Sequence, residues 1–242
     1  MKLSLIRNSR CWKPLQAALI TMVSVGLLGT VPSTNAVTIV RTGSHGAPGS
    51  PGTARHPDGG DGQRGGGVSA SLTSAQSSES IFDVTAVGGN GGQGGNGSFS
   101  PPGNGGHGAT GGSASASAAL TRTTPGNVRT TVNAVGGSGG IYGIGPQNST
   151  SGSGGGGAEA DASGSAATVG LSSAIVNVTA RGGSGNSSTA GAAPSGGGAT
   201  VSNVYGESDS GDVRVTALAV SGSGGAGQAN TKPASTVRVG RK

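Results

Sequence analysis

The sequence predicts an all-β protein built from an irregular repeat. Three observations carry that expectation: period-two alternation in short Val/Ala/Ser/Thr runs, glycine blocks that recur between those runs, and a shortage of large apolar side chains. Of 242 residues 53 are glycine, aromatics make up 2% and charged residues 10%, against about 25% charged in ordinary globular domains. Apolar stabilisation scales with the apolar area available. This composition therefore argues against a conventional large core, a helical protein or a compact enzyme.

The first 36 residues stand apart. Lys2, Arg7, Arg10 and Lys13 form a positive segment, an apolar run follows from Leu15 to Val31, and Pro32-Ser-Thr-Asn-Ala36 closes it with a small residue. That is the layout of a secretory signal peptide with cleavage after Ala36. A membrane anchor is the alternative, but the run of 17 residues is shorter than the roughly 20 that a spanning helix needs. No later segment has the length and hydropathy of a membrane span. The expected organisation is residues 1–36 as signal peptide, 37–65 as a Gly/Pro-rich extended segment, and 66–242 as a glycine-rich β-repeat region, with the mature chain secreted or held at the cell surface.

Removing the leader changes the charge. The full chain carries a formal +6; past residue 36 there are 11 basic and 9 acidic residues, so a nucleic-acid reading based on net charge fails. Arg238, Arg241 and Lys242 cluster at a terminus, where a solvated tail is the ordinary explanation. The one cysteine, Cys11, lies in the leader. Export permits disulfides, yet the mature part has none to form. Its thin core must be supplemented by backbone hydrogen bonding, repetition or association.

Two segment types recur. One reads Phe82-Asp-Val-Thr-Ala-Val-Gly-Gly89, Thr130-Thr-Val-Asn-Ala-Val-Gly-Gly137 and Val176-Asn-Val-Thr-Ala-Arg-Gly-Gly183, with a looser copy at Val215-Thr-Ala-Leu-Ala-Val-Ser-Gly222. The other precedes it as Gly66-Gly-Val-Ser-Ala-Ser-Leu72, Gly111-Gly-Ser-Ala-Ser-Ala-Ser-Ala118, Gly156-Gly-Ala-Glu-Ala-Asp-Ala162 and Gly197-Gly-Ala-Thr-Val-Ser202. Both alternate Ala or Val with polar residues, the mark of a half-buried strand. Thr124-Pro-Gly-Asn127 and Ser208-Asp-Ser-Gly-Asp212 read as turns between them. Each repeat is thus expected to be a hairpin, about four in all, stacked or solenoid-like. Val37–Val40 and Thr236–Val239 are candidates for an added strand at each end.

The glycine blocks admit two readings. Gly88 to Gly97, Gly136 to Gly140, Gly152 to Gly157 and Gly222 to Gly227 could be flexible linkers. Alternatively, Gly43, Gly46, Gly49 and Gly52 fall every third residue with Pro48 and Pro51 between, and Gly59, Gly62 and Gly65 resume the period. That spacing suits an extended helix of three residues per turn. A collagen triple helix is excluded, because the triplets stop at Gly52-Thr-Ala54 and glycine must persist at every third place.

The Gly-Gly-x-Gly-Gly runs at 88–97 and 136–140 resemble those of glycine-rich surface proteins: the PGRS regions of mycobacterial PE-PGRS proteins, glycine-rich tail-fibre adhesins and a glycine-rich arthropod antifreeze protein. The resemblance is compositional and covers about a third of the chain. It implies packed polyglycine-II-type helices used in extracellular binding or surface display. The chain departs from these groups by lacking a PE amino-terminal domain and by its Val-x-Val-x-Ala strands, so no family residue transfers by position.

No catalytic, cofactor-binding or metal-binding residues are assigned. His45, His56 and His107 all lie in Gly/Pro-rich stretches, where nothing evident in sequence holds a base to a nucleophile. Asp58-Gly-Gly-Asp61 and Asp209-Ser-Gly-Asp212 read as turn carboxylates rather than calcium loops, which need six or more oxygens. The Gly152-x-Gly-x-x-Gly157 string has no following helix and carries no weight as a dinucleotide site. Asn96, Asn148, Asn177 and Asn186 match the glycosylation acceptor string. The expected function is a secreted or cell-surface structural protein, non-enzymatic, self-associating or bound to an extracellular polymer. The alternative is an extracellular binding module for a polysaccharide, host surface or ice, using flat Ser/Thr/Asn faces.

Overall fold

The period-two runs fold as strands. In the computed structural model, which describes residues 35–74, 78–147, 149–188, 193–226 and 235–239, they are β1 (Ala36–Thr42), β2 (Val68–Ser74), β3 (Ile81–Val87), β4 (Ala114–Thr121) and β5 (Val128–Val135), then β6 (Ala160–Thr168), β7 (Ala174–Arg181), β8 (Ala199–Ser208), β9 (Val213–Val220) and β10 (Ser235–Val239). The expected end strands are present as β1 and β10. Most of the leader, including Cys11, lies outside the described residues, so the fold described is that of the unit from Asn35 onward.

The pairing corrects the hairpin expectation. Odd strands form one five-stranded sheet, β1-β3-β5-β7-β9, and even strands form another, β10-β8-β6-β4-β2. Every pairing is parallel, each strand with its equivalent one repeat away: Val84 opposite Val132, and Val132 opposite Val178. Strands joined by a turn, such as β4 and β5, belong to different sheets. The reason is visible in the residues. Both segment types carry an apolar Ala/Val row, and burying two such rows requires them to face each other. A hairpin would set the strands edge to edge and leave one face of both rows open to water. The fold class remains all-β, as a two-sheet solenoid.

The core lies between the sheets. Phe82, Val84, Ala86, Val132, Ala134, Val176, Val178 and Ala180 point inward from the odd sheet, against Ala116, Ala118, Leu120, Ala160, Ala162, Val201 and Val204 from the even one. Side-chain size follows position. Next to the glycine blocks the inward rows are alanine (Ala86, Ala134, Ala180); at the far end stand Phe82 and Leu120, each 1% exposed. Where bulk is missing in one strand a neighbour supplies it. Gly164 of β6 lies beneath Val178 and Val132, and β8 carries an extra residue beside it, Asn203 with φ 51°, which brings Val204 inward. Asn tolerates that left-handed conformation better than most residues. Among the described residues Thr130 is the most deeply buried polar side chain, and its hydroxyl donates to the Ser165 carbonyl of the opposite sheet at 3.0 Å.

Candidate functional site

Each odd strand runs into a glycine block, and over the described residues these blocks are ordered. Their three-residue period sends successive amides in three directions. In residues 88–97 the first glycine of each triplet (Gly88, Gly91, Gly94) donates to the next repeat, at Val135, Ser138 and Ile141. The second (Gly89, Gly92, Gly95) donates across to the returning segment of the preceding repeat, at Gly66, Gln63 and Gly60. The third residue points its side chain outward. This is the geometry of packed three-per-turn extended helices, and it decides between the two readings of the blocks. A Cβ on Gly88 would collide with the Gly112 carbonyl, and one on Gly89 with the Ser44 carbonyl, so both glycines are steric requirements while the third position is free to vary.

The free positions hold the polar residues, and they form ladders. The third amide of each triplet faces outward with no backbone carbonyl to meet it. In several triplets a side chain from the preceding repeat takes it. Asn90 N–H donates to His45 Nδ1 at 3.0 Å, Ser138 N–H to Asn90 Oδ1 at 3.0 Å, and Ile144 N–H to Asn96 Oδ1 at 2.9 Å. On the returning layer Asn104 N–H and His107 N–H donate to Asp58 Oδ1 and Asp61 Oδ1, both at 2.7 Å. Thr150 N–H then donates to Asn104 Oδ1 at 3.0 Å and Ser153 N–H to His107 Nδ1 at 2.9 Å. The same device recurs at a turn, where Ser173 N–H donates to Asn127 Oδ1 at 2.9 Å.

These contacts place the residues singled out in sequence. His45 and His107 are exposed yet engaged as acceptors, and His56 sits in a turn with its amide on Thr53 Oγ1. Asp58 and Asp61 cap amides. Asp209 accepts from Gly170 N–H at 3.1 Å, and the Asp212 carbonyl accepts from Ala174 N–H. Gly152 to Gly157 belong to a glycine segment. Of the acceptor-string asparagines, Asn96 is in a ladder, Asn177 lies on β7, the Asn186 amide donates to the Gly139 carbonyl, and Asn148 lies outside the described residues. Sequence reasoning missed the ladders. Their signal is the recurrence of Asn, Asp or His at the third triplet position, followed one repeat later by an amide with no other partner.

One contact has the components of a nucleophile and base: Ser153 Oγ lies 2.8 Å from His107 Nδ1. The same nitrogen also accepts the Ser153 amide, and Asp61 binds the main-chain amide of His107 rather than its ring. The carboxylate therefore does not orient the imidazole as a catalytic triad requires.

The outer face of the odd glycine layer carries two adjoining shallow grooves of about 360 and 440 Å³ that share Gln93 and Ile141. The first is lined by Pro51, Asn96, Tyr142 and Ile144 as well. Ile141 and Ile144 are 55% and 61% exposed. Carboxamides and apolar side chains alternate there on a rigid backbone lattice, an arrangement that offers contacts to an extended ligand rather than enclosure to a small one. Comparison with protein-family models, curated proteins and solved structures finds no match for the chain.

Proposed function

We propose that the chain is a secreted or cell-surface structural protein, non-enzymatic, whose copies associate through their repeat strands. The observation that supports this reading is the use of the outward polar residues. Asp58, Asp61, Asn90, Asn96, Asn104 and His107 each hold an amide of the following repeat. Residues that in an enzyme would converge on one cleft are spread along the axis and spent on stiffness. The leader-like layout of residues 1–36 supports export. Fractionation of producing cells, followed by mass spectrometry, tests it: the expected form is extracellular or surface-bound with its amino terminus near Val37. A cytosolic chain that retains Met1 would overturn the reading.

A second reading is an extracellular binding module, and the grooves along Pro51, Gln93, Asn96, Ile141, Tyr142 and Ile144 favour it. An extended polysaccharide is the ligand class such a surface fits, with Tyr142 as its one aromatic platform. Glycan-array binding that is lost in Tyr142→Ala and Ile144→Asp, with the fold intact, would support this second reading over the first.

A further inference from the structure

The backbone hydrogen bonds give the solenoid a direction, so its two ends are unlike. Along the odd glycine layer each inter-repeat bond runs from an amide of one repeat to a carbonyl of the next: Gly46 to Asn90, Gly91 to Ser138, Gly139 to Ser184, Gly185 to Ser223. At the first described repeat the carbonyls of His45, Pro48 and Pro51 occupy the places of those acceptors, and no amide among the described residues donates to them. At the last, Gly224 occupies the place of Gly185 as donor. One end offers acceptors and the other a donor. Two copies meeting head to tail match these groups; like ends set acceptors against acceptors.

The strands at the ends carry a second sign. An edge strand is normally blunted by charge, proline or bulges; β9 carries Arg214 and Thr216 on its outward face near the turn, but its second half, next to the glycine block, is apolar on both faces. Val213, Val215, Ala217 and Ala219 continue the inward row, while Leu218 and Val220 face outward, 44% and 42% exposed. In the register of the odd sheet Leu218 ends the column Val40, Thr85, Asn133, Thr179, Leu218. That column is polar inside and apolar only at its two ends, with Val40 66% exposed. Continuing the parallel ladder by one strand sets Val40 of a second copy beside Leu218, roughly 4.8 Å away between backbones. The first glycine helix fits the same junction. Pro48 falls in register with Ala226, whose side chain offers no acceptor, and proline has no amide that needs one.

We infer that strand β9 is a docking surface for strand β1 of a second copy, so that chains join head to tail into open stacks. Arg41 tempers this. It stands in the inward column otherwise filled by Ala86, Ala134, Ala180 and Ala219, so joining brings a charge beside an apolar row, and charge pointing inward at an edge opposes pairing. The junction is therefore reversible rather than amyloid-like. A heterologous contact of this kind does not close on itself.

Sedimentation velocity over a concentration series, on the chain purified from the medium or cell surface, tests the inference, which rests on the structural reading above. Mass should rise stepwise past the dimer. Leu218→Lys and Val40→Lys should each move the midpoint at least tenfold upward in concentration with an unchanged circular dichroism spectrum, and Arg41→Ala should move it about tenfold downward. An equimolar mixture of the Val40→Lys and Leu218→Lys chains, each with one intact end, should form dimers and stop there. Wild-type and Arg41→Ala chains that stay monomeric at roughly millimolar concentration, or a wild-type species that stops at two copies, would overturn head-to-tail joining. A surface-located monomer would leave the structural role standing; a stacking chain confined to the cytosol would remove that role and leave the junction.

Discussion

The backbone amide of Ser153 donates to Nδ1 of His107 at 2.9 Å, across 46 residues of sequence. The relation fixes the histidine's chemistry. Nδ1 serves there as an acceptor, the part that an asparagine Oδ1 plays elsewhere in the ladders. Replacing His107 by asparagine, which supplies the equivalent acceptor one triplet earlier in the Asn104–Thr150 pair, should leave stability within about 0.5 kcal/mol. His107→Ala should cost about 1 kcal/mol by chemical denaturation. Equal losses for the two variants would show that the acceptor does not matter.

The two required glycines of a triplet should be far less replaceable than the third residue. A Cβ on Gly92 would collide with the Ala47 carbonyl, and neither backbone segment can move without breaking its own ladder. Gly92→Ala should cost roughly 2–3 kcal/mol, the usual scale of overpacking or more. Gln93→Ala, next in the chain and outward, should be near neutral. Thermal melts of the pair decide the matter, and similar midpoints would contradict the packed-helix geometry.

Ala180 and Thr179 are adjacent on β7, yet Ala180 is 0% exposed and Thr179 lies on the outward, partly exposed face. A charge introduced at Ala180 has no partner between the sheets. Ala180→Glu should therefore cost several kcal/mol or abolish folding, whereas Thr179→Glu should be tolerated to within about 0.5 kcal/mol. Limited proteolysis separates the outcomes.

Thr130 is the polar group whose removal should cost most for its size. Its hydroxyl is fully buried and ties the odd sheet to the Ser165 carbonyl of the even sheet. Thr130→Val keeps the shape and leaves that carbonyl short of a donor, at about 1–2 kcal/mol. A denaturation midpoint equal to wild type would show that the carbonyl finds another donor.

Much of this architecture was legible because strands advertise themselves by alternation. The rows around Val84, Val132 and Val178, and the inward placement of Ala134 and Ala180, follow from period two alone. Pairing partners were not legible in the same way. Alternation says which face is buried, not which edge is bonded, so the turn at Thr124–Asn127 suggested a hairpin where the chain instead changes sheets. The period-three helices were visible as glycine spacing, but spacing could not separate order from a linker; the collisions awaiting a Cβ at Gly88 and Gly89 do. His45, His107, Asp58 and Asp61 looked like solvated loop residues because their partners lie about 45 residues away in sequence, beyond any local motif.

The three-way bonding of the glycine triplets has a thermal consequence. Half of each repeat is held by amide–carbonyl bonds with almost no apolar side chain to shield from water, so unfolding it exposes mainly polar surface. Apolar exposure raises the heat capacity and polar exposure lowers it. The heat-capacity increment of unfolding should therefore fall well below the roughly 12–15 cal/mol/K per residue of ordinary domains. A small increment flattens the dependence of stability on temperature, and cold, which weakens proteins that rely on hydrophobic burial, should weaken this one much less.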